Sequence, residues 1–339
     1  MSLIDFTPNG MHVAAAGVHI DPWRAVDRAI ITHAHSDHAR AGMGSYLCQT
    51  QSVPILKHRL GNDIVVEGIP YGEVREVNGV RFSFHPAGHV IGSAQVRVEH
   101  KGEVWVASGD YKTTDDGITP PFEPVRCNTF ITECTFGLPV YTWESQNIIF
   151  KEINEWWRAN AAVGITSIIS AYSLGKAQRV IANVDPSIGP ILTHGAVEAC
   201  NVAIKAAGVP LPHTIQLTPN TEKQLIKGAL VVAPGSAMGT PWANKLRPFS
   251  TASASGWMQI RGWRRRSGVD RGFALSDHAD WPGLNAAVKA TGAQRVIATH
   301  GYTHQFSRWL NEQGIEATTE ETAFTGDEAV TATETEGSS

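Results

Sequence analysis

The sequence has 339 residues, of which 42% are hydrophobic and 18% are charged, with 32 glycines and 18 prolines. These values are typical of a globular chain with enough apolar residues for one large domain or two ordinary ones. The net charge of −4 argues against a protein that coats nucleic acid non-specifically, although it does not exclude a local basic groove.

The four cysteines form no Cys-x-x-Cys pair, so we predict neither a disulfide framework nor a cysteine zinc knuckle. The first ten residues lack the basic start and the apolar core of a signal peptide. No apolar stretch approaches the ~18 residues that span a membrane. We therefore expect a cytoplasmic protein without a membrane partner.

The first 135 residues are mostly strands and turns by their pattern. Alternation of apolar and polar residues predicts strands within 79–90, 94–100, 103–110 and 127–136. Helical spacing appears at 143–162, where Ile149, Ile153, Trp156 and Trp157 can share one face. From there predicted strands and helices alternate, with strands at 164–172, 189–195 and 228–236 and helices at 174–184 and 196–208.

This change of pattern predicts an α/β fold in which one domain is split by an insertion. The predicted parts are a first domain segment at 1–140, an inserted α/β domain at 141–265 and a completing segment at 266–325. The remainder, 326–339, is acidic and rich in small polar residues, so we predict a disordered tail there.

A metal site is predicted by the stretch ITHAHSDHARAG (31–42), which follows an apolar run and contains His33, His35, Asp37 and His38. Imidazole nitrogen and carboxylate oxygen are ligands that zinc accepts. Four such side chains in one loop would be costly to arrange for packing alone. Because alternate residues of a tight loop can point the same way, the loop could serve two metal ions, as suits phosphodiester cleavage.

Further ligands are expected at the ends of other predicted strands. His89 follows one strand, Asp110 ends another, where its carboxylate could bridge two metals, and His300 ends a third. Isolated histidines are usually structural or solvated. Three histidines in similar contexts are therefore weaker candidates: His85, His194 and His304.

The pattern His-x-His-x-Asp-His, followed by a distant His, Asp and His, resembles the signature of the metallo-β-lactamase fold. Glu133 in TECTFG, His278 in LSDHAD and His300 in THG resemble the three motifs of the β-CASP nucleases. The resemblance covers nearly the whole chain apart from the tail. It implies an αββα metallo-β-lactamase sandwich with an inserted α/β β-CASP domain.

Within this family the chain is similar to the bacterial DNA-ligase-associated exonucleases, which are proposed to act in the DNA damage response. Four segments carry this likeness: VHIDPWR (18–24), TFGLPVYTW (135–143), SGWMQIRG (255–262) and LSDHADWPGL (275–284).

The resemblance implies a centre of two divalent metal ions, either zinc or manganese. The implied ligands of one ion are His33, His35, His89 and Asp110, and those of the other are Asp37, His38, Asp110 and His300. Asp37 would orient the attacking water. His278 would contact the scissile phosphate or protonate the leaving oxygen, and Glu133 would orient His278 and favour its protonated form.

The implied function is a DNA exonuclease in DNA repair, working with a DNA ligase and helicase. An RNA-processing nuclease of the mRNA 3′-end type is an alternative, since a histidine such as His300 in the third motif is more typical of RNA-type members. A small-molecule hydrolase of the same fold is disfavoured by Glu133, His278 and the insertion. A nucleic-acid-binding module without catalysis is disfavoured because every expected ligand is present.

A substrate-binding surface is predicted by the arginine-rich segment QIRGWRRRSGVDRG (259–272). Its candidate phosphate contacts are Arg261, Arg264, Arg265 and Arg266, and Trp263 could stack on a base. Lys176, in a glycine-bearing segment, is a further candidate contact. The alternative is an ordinary solvated helix surface.

Overall fold

The structure is a computed structural model that describes residues 2–322, so the predicted tail at 326–339 lies outside the described residues. The chain divides into two compact units: the first contains the described residues of 1–142 and 278–339, and the second contains Trp143–Asp277. The second unit extends past the predicted 141–265 because the short strand Arg271–Phe273 pairs with its sheet.

The first part of the first unit consists mainly of strands. Its elements are β1 Asp5–Thr7, β2 Gly10–Val13, β3 Val18–Ile20, β4 Arg28–Ile31, β5 Ser45–Gln49, α1 Ser52–Leu60, β6 Val66–Ile69, β7 Val74–Val77, β8 Val80–Pro86, β9 Ala94–His100, β10 Glu103–Ala107 and β11 Thr129–Cys134. The strands predicted between 79 and 136 are confirmed as β8 to β11. Strands β1 to β6 form one sheet in chain order.

The second unit has the predicted alternation of helices and strands. Its elements are α2 Gln146–Ala162, β12 Thr166–Ser170, α3 Lys176–Asn183, β13 Ile191–Thr193, α4 Gly195–Ala206, β14 Ile215–Gln216, α5 Lys223–Ile226, β15 Leu230–Ala233, α6 Pro241–Asn244, β16 Phe249–Ala254, α7 Arg261–Arg266 and β17 Arg271–Phe273. The strands of this unit form a parallel sheet in the order β14-β13-β15-β12-β16-β17. Helix α2 buries the predicted face of Ile149, Ile153, Trp156 and Trp157.

The first unit is completed by α8 Trp281–Thr291, β18 Arg295–Gly301, α9 Thr303–Glu312 and β19 Glu316–Thr319. Strands β18 and β19 join β7 to β11 in a second sheet, in the order β19-β18-β11-β10-β9-β8-β7. Strand β18 pairs in parallel with β11 over six residue pairs. The residues that follow the insertion therefore belong to the first unit.

Two apolar cores hold the second sheet of the first unit in place. One core joins the two sheets, since Val18 and Ile30 of the first sheet pack in the same cluster as Val96 and Ile131 of the second. The other core contains Phe306 of α9, together with residues of α8 and of β10, β11, β18 and β19. The α/β class is therefore confirmed, while the exact αββα layering stays a prediction.

Within residues 2–322, no helix is both long and apolar enough to cross a membrane.

Candidate metal centre

The predicted ligands lie in loops and at strand ends of the first unit. The loop after β4 carries the His-x-His-x-Asp-His motif, and the loop between β8 and β9 carries His89. Strands β10, β11 and β18 are parallel neighbours, so their carboxyl ends meet at one edge of the sheet. Asp110, Glu133 and His300 lie at or just after these ends.

One group of ligand atoms comes from His33, His35, His89 and Asp110, and these atoms lie within 4.8 Å of one another. The four residues are at most 4% exposed. His89 Nε2 is 3.1 Å from His35 Nδ1, and His33 Nε2 is 3.6 Å from Asp110 Oδ2. Two ligands of a tetrahedral zinc ion with bonds of about 2.0–2.1 Å lie roughly 3.3 Å apart, so this spacing suits a metal ion.

A second group contains His33, Asp37 and His38. Asp110 connects it with the first group, because its Oδ1 is 3.5 Å from His38 Nε2 while its Oδ2 is 3.8 Å from His89 Nε2. Each oxygen of Asp110 thus faces a different set of ligands. This is the arrangement that a carboxylate bridging two metal ions requires.

His300 lies beside these groups but belongs to none of the candidate metal groups found in residues 2–322. Its ring is 5.3 Å from that of His38, centroid to centroid. Its Nε2 is 3.3 Å from Thr322 Oγ1, and its Nδ1 is 3.3 Å from Thr299 Oγ1. The structure therefore brings six of the seven predicted ligands together and places the seventh next to them.

The backbone at His300 is held tightly against the end of β11. His300 adopts a left-handed φ of 56°, and Gly301 follows with φ of 79°. A Cβ on residue 301 would lie 2.4 Å from both Cys134 O and Thr135 Cα, so only glycine fits there. The close approach coincides with a register shift between Glu133 and Cys134 in the pairing of β11 with β18.

Glu133 is fixed by four hydrogen bonds. Its Oε1 accepts from His278 Nδ1 and from the backbone N–H of Tyr111, both at 2.9 Å. Its Oε2 accepts from the N–H and the hydroxyl of Thr135, at 3.2 and 2.6 Å. Because Nδ1 of His278 faces Glu133, Nε2 is the nitrogen through which His278 would act on a substrate. Glu133 and His278 also form a third candidate metal group with Asp110.

The charges of the centre are strongly coupled. Burial opposes ionisation of Asp110, but the imidazoles of His38 and His278 outweigh it and hold the pKa of Asp110 well below its usual value. Burial, together with His38 and His89, holds the pKa of His33 well below its usual value.

At His38 burial acts to lower the pKa, yet the carboxylates of Asp110 and Asp37 raise it well above its usual value. The buried carboxylates thus attract a positive charge, which a divalent metal ion can supply in place of a proton.

The tautomer of His33 also fits a metal ligand. Its Nε2 is buried and makes no hydrogen bond within the described part of the chain. Its Nδ1 is 3.1 Å from the Thr32 hydroxyl, which itself donates to Asp21 Oδ2 at 2.6 Å. Nδ1 therefore carries the proton and Nε2 presents a lone pair. A buried nitrogen without a partner is unfavourable, and a bound metal ion would satisfy it.

Asp21 is a site residue that the sequence pattern did not reveal. It is 2% exposed, and its Oδ2 is 2.7 Å from His38 Nδ1. Its Oδ1 accepts from the N–H of Thr32 at 2.8 Å. A carboxylate behind a ligating histidine orients the ring and makes it a better ligand. The one available signal was an aspartate directly after the short strand β3, in VHIDPWR.

The predicted substrate contacts lie in the second unit. Helix α7 carries Arg261, Arg264, Arg265 and Arg266, all exposed. The Arg264 side chain donates to Met258 O. Arg266 Cζ lies 4.8 Å from the centroid of the Trp263 ring, which is 5.8 Å from that of Trp257. Lys176 begins α3 and is only 4% exposed, so it does not lie on an ordinary solvated helix surface. Its contact with phosphate stays a prediction.

The first unit is thus part of an α/β fold whose buried histidines and aspartates could bind divalent metal ions. No protein-family model matches the chain. It is 28% identical over 314 residues to a probable DNA ligase of Opitutus terrae, covering 91% of this chain and 30% of the relative. It is 26% identical over 219 residues to cleavage and polyadenylation specificity factor subunit 3-I of Arabidopsis thaliana, covering 52% of this chain and 31% of the relative.

The chain thus spans about a third of the length of these relatives. The fold is similar to the crystal structure of a protein of unknown function from Enterococcus faecalis, with a TM-score of 0.59 and 10% identity. That likeness covers 88% of this chain and 79% of the other. These likenesses confirm the predicted resemblance to the β-CASP nucleases of the metallo-β-lactamase fold, and the match to a probable bacterial DNA ligase agrees with the predicted likeness to the ligase-associated members.

Proposed function

We propose that this chain hydrolyses phosphodiester bonds of nucleic acid at a centre of two divalent metal ions, as a DNA exonuclease in DNA repair. The buried ligand cluster, with the Glu133–His278 pair beside Asp110, carries the proposal. The preference for DNA rests on the relative named as a probable DNA ligase, which matches 91% of the chain. We further propose a DNA ligase and a helicase as functional partners, the ligase because of the name of that relative.

The metal ions would be held by the two predicted ligand sets, with Asp110 shared and His300 joining Asp37 and His38. Zinc is proposed because imidazole and carboxylate ligands suit it, and manganese is the alternative. When bound, the two ions lower the pKa of a water molecule toward ~7 and stabilise negative charge on the phosphate oxygens.

The side chains of the centre have separate tasks in this proposal. Asp37 accepts a hydrogen bond from the attacking water and so orients it toward phosphorus. Glu133 holds Nδ1 of His278, and Nε2 of His278 then donates a proton to the leaving oxygen or contacts the scissile phosphate. The four donors on Glu133 support this role, since a carboxylate held so firmly fixes the imidazole that it contacts.

The arginines of α7 are proposed to contact the phosphates of the strand. Arg261, Arg264, Arg265 and Arg266 take part in none of the ion pairs described for residues 2–322. No acidic residue occurs in the sequence between Gly256 and Val269. Trp263, with Arg266 over its ring, offers a stacking surface for an unpaired base. Lys176 is proposed as a further contact.

A ribonuclease is the second candidate. The Arabidopsis relative is named as a cleavage and polyadenylation factor, and its match covers about half of this chain. The metal ligands do not distinguish the two sugars, so the substrate must be tested directly.

The decisive experiment is a cleavage time course on single-stranded DNA and RNA of the same sequence, each labelled at either end. The reactions contain zinc, manganese or EDTA. We expect DNA to be shortened progressively from one end, EDTA to abolish cleavage, and Asp37→Ala and His38→Ala to remove it. His304→Ala is the matched control, because this histidine is exposed on α9.

Faster cleavage of RNA would replace DNA by RNA as the substrate. Unchanged cleavage by the Asp37 and His38 variants would contradict the metal mechanism. Turnover of a chromogenic β-lactam without cleavage of either strand would support a small-molecule hydrolase instead.

A further inference from the structure

Lys112 is a buried lysine that the proposed chemistry does not use. Its side chain is 1% exposed. Its Nζ donates to Gly88 O and to Asp116 Oδ2, both at 2.8 Å. A buried ammonium group is unfavourable unless it is paired and hydrogen-bonded, so these contacts need an explanation beyond packing.

The contacts of Lys112 join two ligand-bearing segments. Gly88 directly precedes His89, and Lys112 comes two residues after Asp110. The backbone N–H of Lys112 also donates to Ala87 O at 3.0 Å. Gly88 has a φ of 73°, and a Cβ there would lie 2.3 Å from Lys112 O. The two segments therefore touch backbone to backbone, and the ammonium group adds a charged hydrogen bond between them.

Asp116 completes the arrangement by fixing the ammonium group from the other side. Its Oδ1 accepts from the N–H groups of Ile118 and Thr119, at 3.0 and 2.8 Å. The Thr119 hydroxyl is 2.8 Å from Asp116 Oδ1 and 3.2 Å from Gly88 O. Gly88 O thus lies within hydrogen-bond distance of two donors, and the residue after it is a predicted metal ligand.

The loop that carries His89 depends on such contacts, because it has no regular secondary structure between β8 and β9. On its other side Ser93 Oγ accepts from the N–H groups of His89 and Val90, at 3.1 and 3.2 Å. His89 Nε2 lies 3.8 Å from Asp110 Oδ2, and this separation must stay within narrow limits if both atoms are to bind one ion.

We infer that Lys112, with Asp116, is a positioning residue of the metal centre: its ammonium group sets the separation of His89 and Asp110 by holding Gly88 O. This inference rests on the proposed metal centre. In this inference Lys112 contacts neither metal nor substrate. It nevertheless determines the metal affinity of the group formed by His33, His35, His89 and Asp110.

The test compares metal binding in Lys112→Met with binding in the double variant Lys112→Met/Asp116→Asn, each in the full chain; asparagine removes the charge but keeps an acceptor oxygen for the N–H groups of Ile118 and Thr119. Zinc affinity is measured by competition with a chromogenic chelator, and the visible absorption of the cobalt-substituted protein reports ligand number. We expect both variants to bind zinc roughly tenfold or more weakly and to alter the cobalt spectrum. The double variant leaves no unpaired buried charge, so it should be more thermostable than the single one.

A control separates positioning from general stability. Leu310→Ala removes a buried side chain of α9 and should lower thermal stability while the zinc affinity and cobalt spectrum stay as in the unaltered chain. Zinc affinity and cobalt spectrum unchanged in the double variant would overturn the inference and leave the metal centre standing. If the unaltered chain bound neither ion, the metal centre and this inference would both be wrong.

Discussion

The buried ligand cluster of the first unit and the exposed arginine helix of the second unit carry charge in opposite ways. Asp37, His38 and Asp110 are at most 6% exposed. The arginines of α7 are exposed and take part in no ion pair described for residues 2–322. Burying charged groups is costly, so the first arrangement by itself indicates a site that could bind a metal ion. Exposed charge costs little, so the arginines of α7 alone do not indicate a binding surface. The neighbouring rings of Trp257 and Trp263 are what favour one.

The largest effect is expected in the buried cluster, at Glu133. This carboxylate is proposed to hold His278, whereas the side chains near it are predicted to bind metal. Glu133→Gln should lower the cleavage rate by roughly 10²-fold or more, because the amide presents a donor to the Thr135 N–H and disturbs the hold on His278. Bound zinc, measured by atomic absorption, should stay at the wild-type amount. The matched control is Glu198→Gln, which alters a hydrogen-bonded carboxylate of the second unit and should leave the rate unchanged.

Loss of zinc from Glu133→Gln would instead make this residue a metal ligand, as its grouping with Asp110 and His278 allows.

A smaller effect is expected at Asp21, which acts on the cluster through His38. Asp21→Asn removes the charge that orients the His38 ring, so zinc affinity should fall about 10–100-fold. Chelator competition measures this change. Asp185→Asn, at a partly exposed aspartate of the second unit, is the control and should bind zinc normally. Equal affinity in the Asp21 and Asp185 variants would show that the Asp21–His38 contact does not support the metal centre.

The smallest effect is expected at the exposed arginines of helix α7. In metal-free protein, the double variant Arg265→Ala/Arg266→Ala should weaken binding to a single-stranded oligonucleotide. It should also reduce the slope of log affinity against log salt by about 0.7 for each lost phosphate contact. Fluorescence anisotropy at several salt concentrations gives the slope.

Arg247→Ala is a close control for this variant, since Arg247 also lies over an aromatic ring, 5.0 Å from the Phe249 centroid. A slope that both variants leave unchanged would make α7 an ordinary solvated surface.

The sequence could predict the clustering of these histidines and aspartates because their spacing is itself a chemical signal. His33, His35, Asp37 and His38 fall within six positions, and the later ligands end apolar strands. Asp21 and Lys112 have no such signal: each matters through one contact across the fold, with His38 and Gly88 respectively. Only the three-dimensional structure brings these pairs together.

The same reason limited the prediction of the insertion. Its start near 141 was visible as a change from alternating strands to helical spacing. The sequence pattern predicts its end at 265, whereas the second unit continues to Asp277, because β17 belongs to the sheet of that unit by pairing with β16. A strand of three residues leaves almost no periodicity to read, and its partner is a matter of tertiary contact.

The close passage of Gly301 against the end of β11 has a mechanical consequence. On one side of this contact lies His300, and on the other lies Glu133, which holds His278. A methyl group at residue 301 would push both strand ends apart, so it would disturb a predicted metal ligand and the proposed proton donor in one movement. One close backbone contact therefore couples the positions of the predicted metal ligand His300 and the proposed proton donor His278, and that contact requires a residue without a side chain.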